Sequence, residues 1–198
     1  MTDHPPPPLT NPSLADELLV VRCQLGERAA FDALIARWHQ ALWRYARNLT
    51  GQDAAADDAT QEVWLRVLRG IARLRDGARL RSWLFGIAHK VLMDRLREQY
   101  ARAPAIDLDP ELLAASESGE VQEQAQDHEH DLAHMREQLA RLPLVENEIL
   151  TLFYLRELSI DDIAQTLAIP AGTVKSRLFR ARKLLRHTMS TALKGVPS

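Results

Sequence analysis

The stretch Ser159-Ile-Asp-Asp-Ile-Ala-Gln-Thr-Leu-Ala-Ile-Pro-Ala-Gly-Thr-Val-Lys-Ser-Arg-Leu-Phe-Arg-Ala-Arg182 decides how the C-terminal part of this chain folds. Ser159 is a natural helix N-cap, and Asp161 and Asp162 suit the positive end of the helix it starts. Ile163, Ala164 and Leu167 supply that helix with an inner face. Ala168-Ile169-Pro170 predicts a tight turn, and Pro170 with Gly172 opens the next helix. There Val174, Leu178, Ala181 and Leu185 align inward, while Gly172, Ser176, Phe179, Arg180 and Lys183 point the opposite way at about 100° per residue. Two short helices, a tight turn and a polar-basic outer face on the second helix make a helix-turn-helix, whose second helix enters the DNA major groove.

The charge distribution agrees with this. The chain has 198 residues and a net charge of −2. Positions 171–187 nevertheless carry Lys175, Arg177, Arg180, Arg182, Lys183 and Arg186 without one acid. An exposed structural helix usually mixes both signs, so an acid-free basic helix in a near-neutral chain reads as a polyanion footprint. Thr173, Lys175, Ser176 and Arg180, in the first turns, are the candidate base readers, since Arg and Lys pair well with guanine. Phe179 and Lys183 share their face. Arg177 and Arg182 lie nearer the packed side, which suits phosphate contact or structure.

Upstream, the periodicity is helical throughout. A first helix is expected over Leu14–Leu25, capped by Ser13, with Cys23 in a core setting among Leu19, Val20 and Leu25. A second runs from Glu27 to Leu49, with Phe31, Leu34, Ile35, Trp38, Leu42, Tyr45 and Leu49 on one stripe, and Gly51 stops it. The third starts at Asp53 or Asp57 and ends near Arg69, with Ala59, Val63, Val67 and Leu68 inward. After a loop over 70–77, a fourth spans Leu80–Glu98, aligning Leu80, Trp83, Leu84, Ile87 and Val91. Between Tyr100 and Asp127 the pattern collapses into prolines, serines and acids, which predicts a flexible linker. Helical spacing resumes at Leu132, Met135, Leu139 and Leu142, and short helices are expected over Val145–Tyr154, Ile160–Leu167 and Ala171–Leu193. The fold class is therefore all-α: two small helical domains joined by a flexible linker. The boundaries read as a tail over 1–12, a first domain over 13–99, an acidic linker over 100–128, a second domain over 129–193, and a tail over 194–198.

Several function classes are excluded or weakened. No apolar run approaches the ~20 residues of a membrane span. The N-terminus, with Pro5 to Pro8, lacks a signal-peptide pattern, so a cytoplasmic protein is expected. One cysteine rules out an internal disulfide framework and a CxxC metal site. His128, His130 and His134 stand at the linker edge without further clustered ligands, so no metal is expected. Neither a phosphate-cradling glycine loop nor a nucleophile motif occurs. No cofactor and no catalytic activity are expected.

Two separate sets of residues resemble one family. The run Leu167-Ala-Ile-Pro-Ala-Gly-Thr-Val-Lys-Ser-Arg-Leu-Phe-Arg-Ala-Arg-Lys-Leu-Leu185, with Leu139-Ala-Arg-Leu-Pro-Leu-Val-Glu-Asn-Glu-Ile-Leu-Thr-Leu-Phe-Tyr-Leu155 before it, is similar to region 4 of extracytoplasmic-function sigma factors of the sigma-70 family. Independently, Asp57-Asp-Ala-Thr-Gln-Glu-Val-Trp-Leu-Arg-Val-Leu68 resembles region 2.2, and Arg81-Ser-Trp-Leu-Phe-Gly-Ile-Ala-His-Lys-Val-Leu-Met-Asp-Arg-Leu96 resembles regions 2.3 to 2.4. The resemblance spans about 27–99 and 132–190.

It implies a non-catalytic initiation subunit that binds core RNA polymerase through the beta-prime clamp helices and the beta flap. Promoter DNA is the second partner implied, and an anti-sigma factor a third. Region 2.2 would present Asp58, Gln61, Glu62 and Arg66 to the clamp. Regions 2.3 and 2.4 would melt and hold the −10 element through Arg73, Arg75, Arg79, Arg81, Phe85, His89 and Lys90, since an unstacked base is captured by stacking while cations hold the backbone. Region 4 would read the −35 element through Thr173, Lys175, Ser176, Arg177, Phe179, Arg180 and Lys183. This chain has Ala88-His89-Lys90 where the family commonly shows Ala-Arg-Asn, and Ala168 where it often has Gly. An autonomous operator-binding regulator is the alternative class, and the 57–96 segment argues against it.

Overall fold

The computed structural model describes residues 12–102, 139 and 142–194. The N-terminal tail, nearly all of the acidic linker, His128, His130, His134, Leu132, Met135 and the last four residues lie outside the described residues. Seven α-helices make up the described fold. They are α1 (Pro12–Gln24), α2 (Arg28–Thr50), α3 (Asp53–Gly70), α4 (Leu80–Arg102), α5 (Leu144–Leu150), α6 (Ile160–Leu167) and α7 (Ala171–Lys194). No strand occurs among the described residues.

The first four helices bundle around the expected stripe. Leu34, Trp38, Leu42, Tyr45 and Leu49 of α2 are buried against Ala59, Val63 and Val67 of α3 and Leu80, Leu84 and Val91 of α4. Gly51, in the left-handed conformation at φ 70°, ends α2 as expected, its N–H returning to the Arg47 carbonyl. Two expected core residues are not core: Leu68 is 57% exposed and Leu25 is also exposed. Leu68 sits one position past the inward Val67, which turns it about 100° away from the stripe. Leu25 lies beyond the last residue of α1.

The segment expected as a loop after α3 is two 3₁₀ turns, Ile71–Arg73 and Gly77–Arg79. Gln24 Nε2 ties it to α1 by donating to the carbonyls of Ile71 at 3.0 Å and Leu74 at 2.8 Å. Gly77 allows the close approach: a Cβ there would lie 2.8 Å from the Glu17 Cα. Asp76 caps the second turn by accepting from the Ala78 N–H.

In the C-terminal half, the expected Val145–Tyr154 helix is α5 followed by a π-helical turn, Thr151–Leu155. Ser159 caps α6 as expected, its hydroxyl accepting from the Asp162 N–H at 3.1 Å. Ala168 ends α6 at φ 53°, ψ 43°, in the left-handed region where a side chain is strained. Pro170 then accepts from the N–H groups of Thr173 and Val174 to start α7. Val174, Leu178 and Ala181 of α7 are buried with Ile149, Leu150, Leu152 and Ile163.

The two halves do not stand apart. α6 packs along α4, and α5 reaches α2. Tyr45 of α2, His89 of α4 and Glu148 of α5 meet between the halves.

Candidate nucleic-acid interface

The outer face of α7 is laid out as its 3.6-residue period requires. Lys175, Ser176, Phe179, Arg180 and Lys183 are exposed, Thr173 and Arg177 half-buried. Phe179 is 72% exposed, unusual for an aromatic side chain on a packed helix. Ser176 donates to the Thr173 carbonyl at 3.0 Å, which keeps its hydroxyl against its own helix. Arg180 keeps 58% of its side chain exposed while its Nε lies 2.7 Å from a carboxylate oxygen of the buried Glu146. Arg182 turns inward, its guanidinium 5.4 Å from the Phe153 ring centre and 5.5 Å from that of Tyr154, as its place near the packed side led one to expect.

The residues grouped for the −10 element are distributed differently. Arg73 and Arg75 are exposed on the 3₁₀ segment and Lys90 is exposed on α4. Arg79 is exposed but engaged on both sides, donating to Asp76 at 3.1 Å and to Gln165 of α6 at 3.3 Å. Arg81 lies over the Trp38 ring at 5.5 Å. Phe85 has no exposed surface. It packs edge-to-face on Tyr45 at 5.3 Å and on Trp38 at 6.5 Å, and Arg156 from the C-terminal half lies 5.9 Å above it.

His89 faces the C-terminal half. Its Nδ1 lies 2.7 Å from Glu148 Oε1, and the Tyr45 hydroxyl donates to the same oxygen. The two side chains thus meet on one carboxylate oxygen, which accepts from the Tyr45 hydroxyl. Burial pushes the Tyr45 phenol well above its usual value of 10.0, and the Glu148 charge pushes the same way. Around this centre, Asn147 Nδ2 donates to the Asn48 carbonyl at 3.1 Å and Thr166 Oγ1 to the Ser82 carbonyl at 3.2 Å.

These partners were not legible as site residues. The one local signal is α5 itself: Glu146, Asn147 and Glu148 are polar, consecutive and buried, and buried polar groups require partners.

On α3, Asp58 and Gln61 are exposed, and Glu62 and Arg66 are half-buried. Arg66 pairs with Glu62 at 2.6 Å, and Arg95 of α4 donates to Glu62 at 3.3 Å and to the Asp58 carbonyl at 3.0 Å. With Leu65 and Arg69 these residues line one shallow recess. The four expected clamp residues thus share a continuous face, with the apolar Leu65 and Leu68 exposed on the same helix.

Sequence and structure comparisons point one way. Residues 34–102 match the model of Sigma-70 region 2, and residues 133–185 that of Sigma-70 region 4. The chain is 34% identical over 182 residues to the ECF RNA polymerase sigma factor SigM of Mycobacterium tuberculosis, covering 92% of this chain and 88% of that protein. It is 29% identical over 188 residues to the ECF RNA polymerase sigma-E factor of Escherichia coli K12, covering 91% and 97%.

Among solved structures, CnrH in complex with the cytosolic domain of CnrY superposes with a TM-score of 0.66 at 22% identity, covering 89% of this chain and 98% of that one. The sigma factor RpoE from Bartonella quintana, in complex with the anti-sigma factor NepR, superposes with a TM-score of 0.63 at 21% identity, covering 81% and 96%. These two likenesses concern the fold, while the sequence matches carry the family. With both region models matched in order, and a relative of 34% identity aligned over nearly its whole length, the chain belongs to the extracytoplasmic-function RNA polymerase sigma factors of the sigma-70 family.

Proposed function

We propose that this sigma factor divides promoter recognition between an open surface on α7 and a covered one on α4. The −35 element is read by the outer face of α7. Arg180 and Lys175 meet base edges, Thr173, Ser176 and Phe179 flank them, and Arg177 and Lys183 hold phosphates. The −10 element is melted and held by Arg73, Arg75, Arg79, Arg81, Phe85, His89 and Lys90 of the 3₁₀ segment and α4. Asp58, Gln61, Glu62 and Arg66 dock on the beta-prime clamp helices of core polymerase, and the C-terminal half meets the beta flap. The division into a first domain over 13–99 and a second over 129–193 belongs to the same proposal. So do the absence of any catalysis by the chain itself and its place in the cytoplasm with the polymerase. An anti-sigma factor is a further partner, as for the Bartonella relative.

The observation that carries the reading is the contrast between the two surfaces. An acid-free, exposed α7 face can take a DNA groove as it stands. On α4, Phe85 is sealed and His89 is bonded to Glu148, so the C-terminal half has to move off α4 before that face meets DNA. Binding of core polymerase supplies this movement.

The test is reconstitution. The purified chain with core polymerase should start transcription at a discrete promoter set and protect −35 and −10 positions together. Charge reversal at Asp58 and Glu62 should abolish holoenzyme formation while the helical signal persists. Specific operator binding by the chain alone, with no effect of core polymerase, would favour the autonomous regulator instead.

A further inference from the structure

Glu146 lies in the first turn of α5, and its side chain is 1% exposed. A carboxylate at that depth is costly unless a cation stands beside it. Neither of its oxygens receives an aligned hydrogen bond among the described residues. What stands beside it is Arg180 Nε, 2.7 Å from Oε1. Arg180 reaches inward from the exposed face of α7 to make this pair, with more than half of its side chain still in solvent.

The pair changes what Arg180 can do. Nε is one of five guanidinium N–H donors in a rigid plane. The pair tethers the guanidinium by charge at its Nε end, 2.7 Å from Oε1, and leaves the two terminal nitrogens for the fork that matches guanine O6 and N7. Because the side chain is ordered before DNA arrives, less rotamer freedom is lost on binding. The charge acts as well. Attraction to phosphate is the same at every sequence and follows net charge. Glu146 cancels part of that attraction and leaves the directional bonds to a base intact. Pulling Arg180 away toward a phosphate would also strand a buried carboxylate, so the pair resists that alternative.

We propose that Glu146 is a positioning residue of the −35 surface: it holds Arg180 as a base reader and suppresses its use as a phosphate clamp. The proposal rests on the reading of Arg180 as a base reader, and the experiment separates the two. Holoenzymes carrying Glu146→Gln, Arg180→Ala or both are titrated against single-base −35 variants at several salt concentrations.

Glu146→Gln should lower discrimination by about threefold to tenfold at the position where Arg180→Ala also loses it, and nowhere else. It should also steepen the salt dependence by up to about one phosphate contact, as the freed cation turns to the backbone. In the Arg180→Ala background it should change neither quantity. Glu146→Leu, which fills the same site without a polar group, should reproduce both effects and guards against a folding defect of the Gln variant. A merely structural role would weaken all promoters alike and leave the salt slope unchanged or shallower. Discrimination lost in Arg180→Ala but retained in both Glu146 variants overturns the proposal alone. Discrimination retained in Arg180→Ala overturns the base-reader reading and the proposal with it.

Discussion

The outer face of α7 and the inner face of α4 carry the groups we propose to meet DNA, yet the fold treats them in opposite ways. On α7, Lys175, Ser176, Phe179, Arg180 and Lys183 stand in solvent, and among the described residues the ion pair made by this face, from Arg180 to Glu146, comes from its own half. On α4, the ties come from the other half: Glu148 on His89, Thr166 on Ser82, Arg156 over Phe85. Adding Arg79 to Gln165, the C-terminal half occupies the middle of the surface proposed for the −10 element. Under the proposed roles, the difference teaches that one surface suits direct encounter and the other conditional exposure. A duplex groove can be met by a rigid exposed helix. A flipped base needs an apolar, stacking surface, and a large apolar surface left open is an aggregation hazard.

The largest effect is expected at the centre of the interface. Glu148→Ala leaves the buried Tyr45 hydroxyl and His89 without their acceptor, a loss of about 2–4 kcal/mol. The thermal midpoint should fall and the radius of gyration from small-angle scattering should rise as the halves separate. An unchanged radius would mean that the remaining contacts, among them Asn147 to Asn48 and Thr166 to Ser82, hold the halves together without Glu148.

On the open surface the effects are smaller and more selective. Arg180→Ala should cost about 1–3 kcal/mol on the preferred promoter and relax base choice at one or two −35 positions. Lys183→Ala should weaken all promoters about equally and reduce the salt slope by about one phosphate contact. Identical profiles for the two variants would erase the distinction between base reader and backbone clamp.

Tyr45 offers a check by pH. Its folded-state value is raised above the unfolded one, so its contribution to stability is fully present below about pH 10 and is lost as the pH rises further. Tyr45→Phe should be less stable at pH 8 and should lose less stability than the parent between pH 9 and 11, measured by denaturant midpoints (about 1 kcal/mol at the lower pH). A parallel loss in both proteins would show that the phenol is not sealed between the halves.

The smallest effect concerns the turn before α7. Ala168 sits at φ 53°, a strain of about 1–2 kcal/mol that glycine avoids while adding about 0.5–1 kcal/mol of backbone entropy cost. Ala168→Gly should therefore raise the midpoint of the C-terminal half slightly, by a few tenths to about 1 kcal/mol.

Ala168 also shows what was readable in advance. Ser159, the Asp pair after it, Leu167 and Pro170 bound α6 by local rules, and the helix runs over Ile160–Leu167 as they imply. The α2 stripe from Leu34 to Leu49 was equally plain, because a 3.6-residue period repeats along it. The interface was not readable. Tyr45 and Glu148 are 103 residues apart, and Asn147 and Asn48 are 99 apart. No local propensity encodes such a pairing. Phe85 is expected among the −10 residues from the region 2 resemblance, and its depth was not readable because α4 is apolar around much of its circumference, which blurs the assignment of faces. Its burial follows from partners on both sides, Trp38 and Tyr45 from one half and Arg156 from the other. The Glu146–Arg180 pair was hidden for a related reason: an acid in α5 and a base in α7 each look like ordinary surface charge until the helices are packed.

The most direct test of the open-and-covered account is to lock the cover in place. A Cβ on Gly86 of α4 would lie 3.9 Å from both the Cα and the carbonyl oxygen of Thr166 on α6, so the two backbones pass close enough for a cysteine pair to be placed across them. The measurement is permanganate reactivity of the −10 element with holoenzyme made from Gly86→Cys/Thr166→Cys protein in a Cys23→Ser background, oxidised and then reduced. The account predicts that the oxidised chain leaves the −10 element duplex and that reduction restores melting. Equal melting by the oxidised and reduced chains would contradict it.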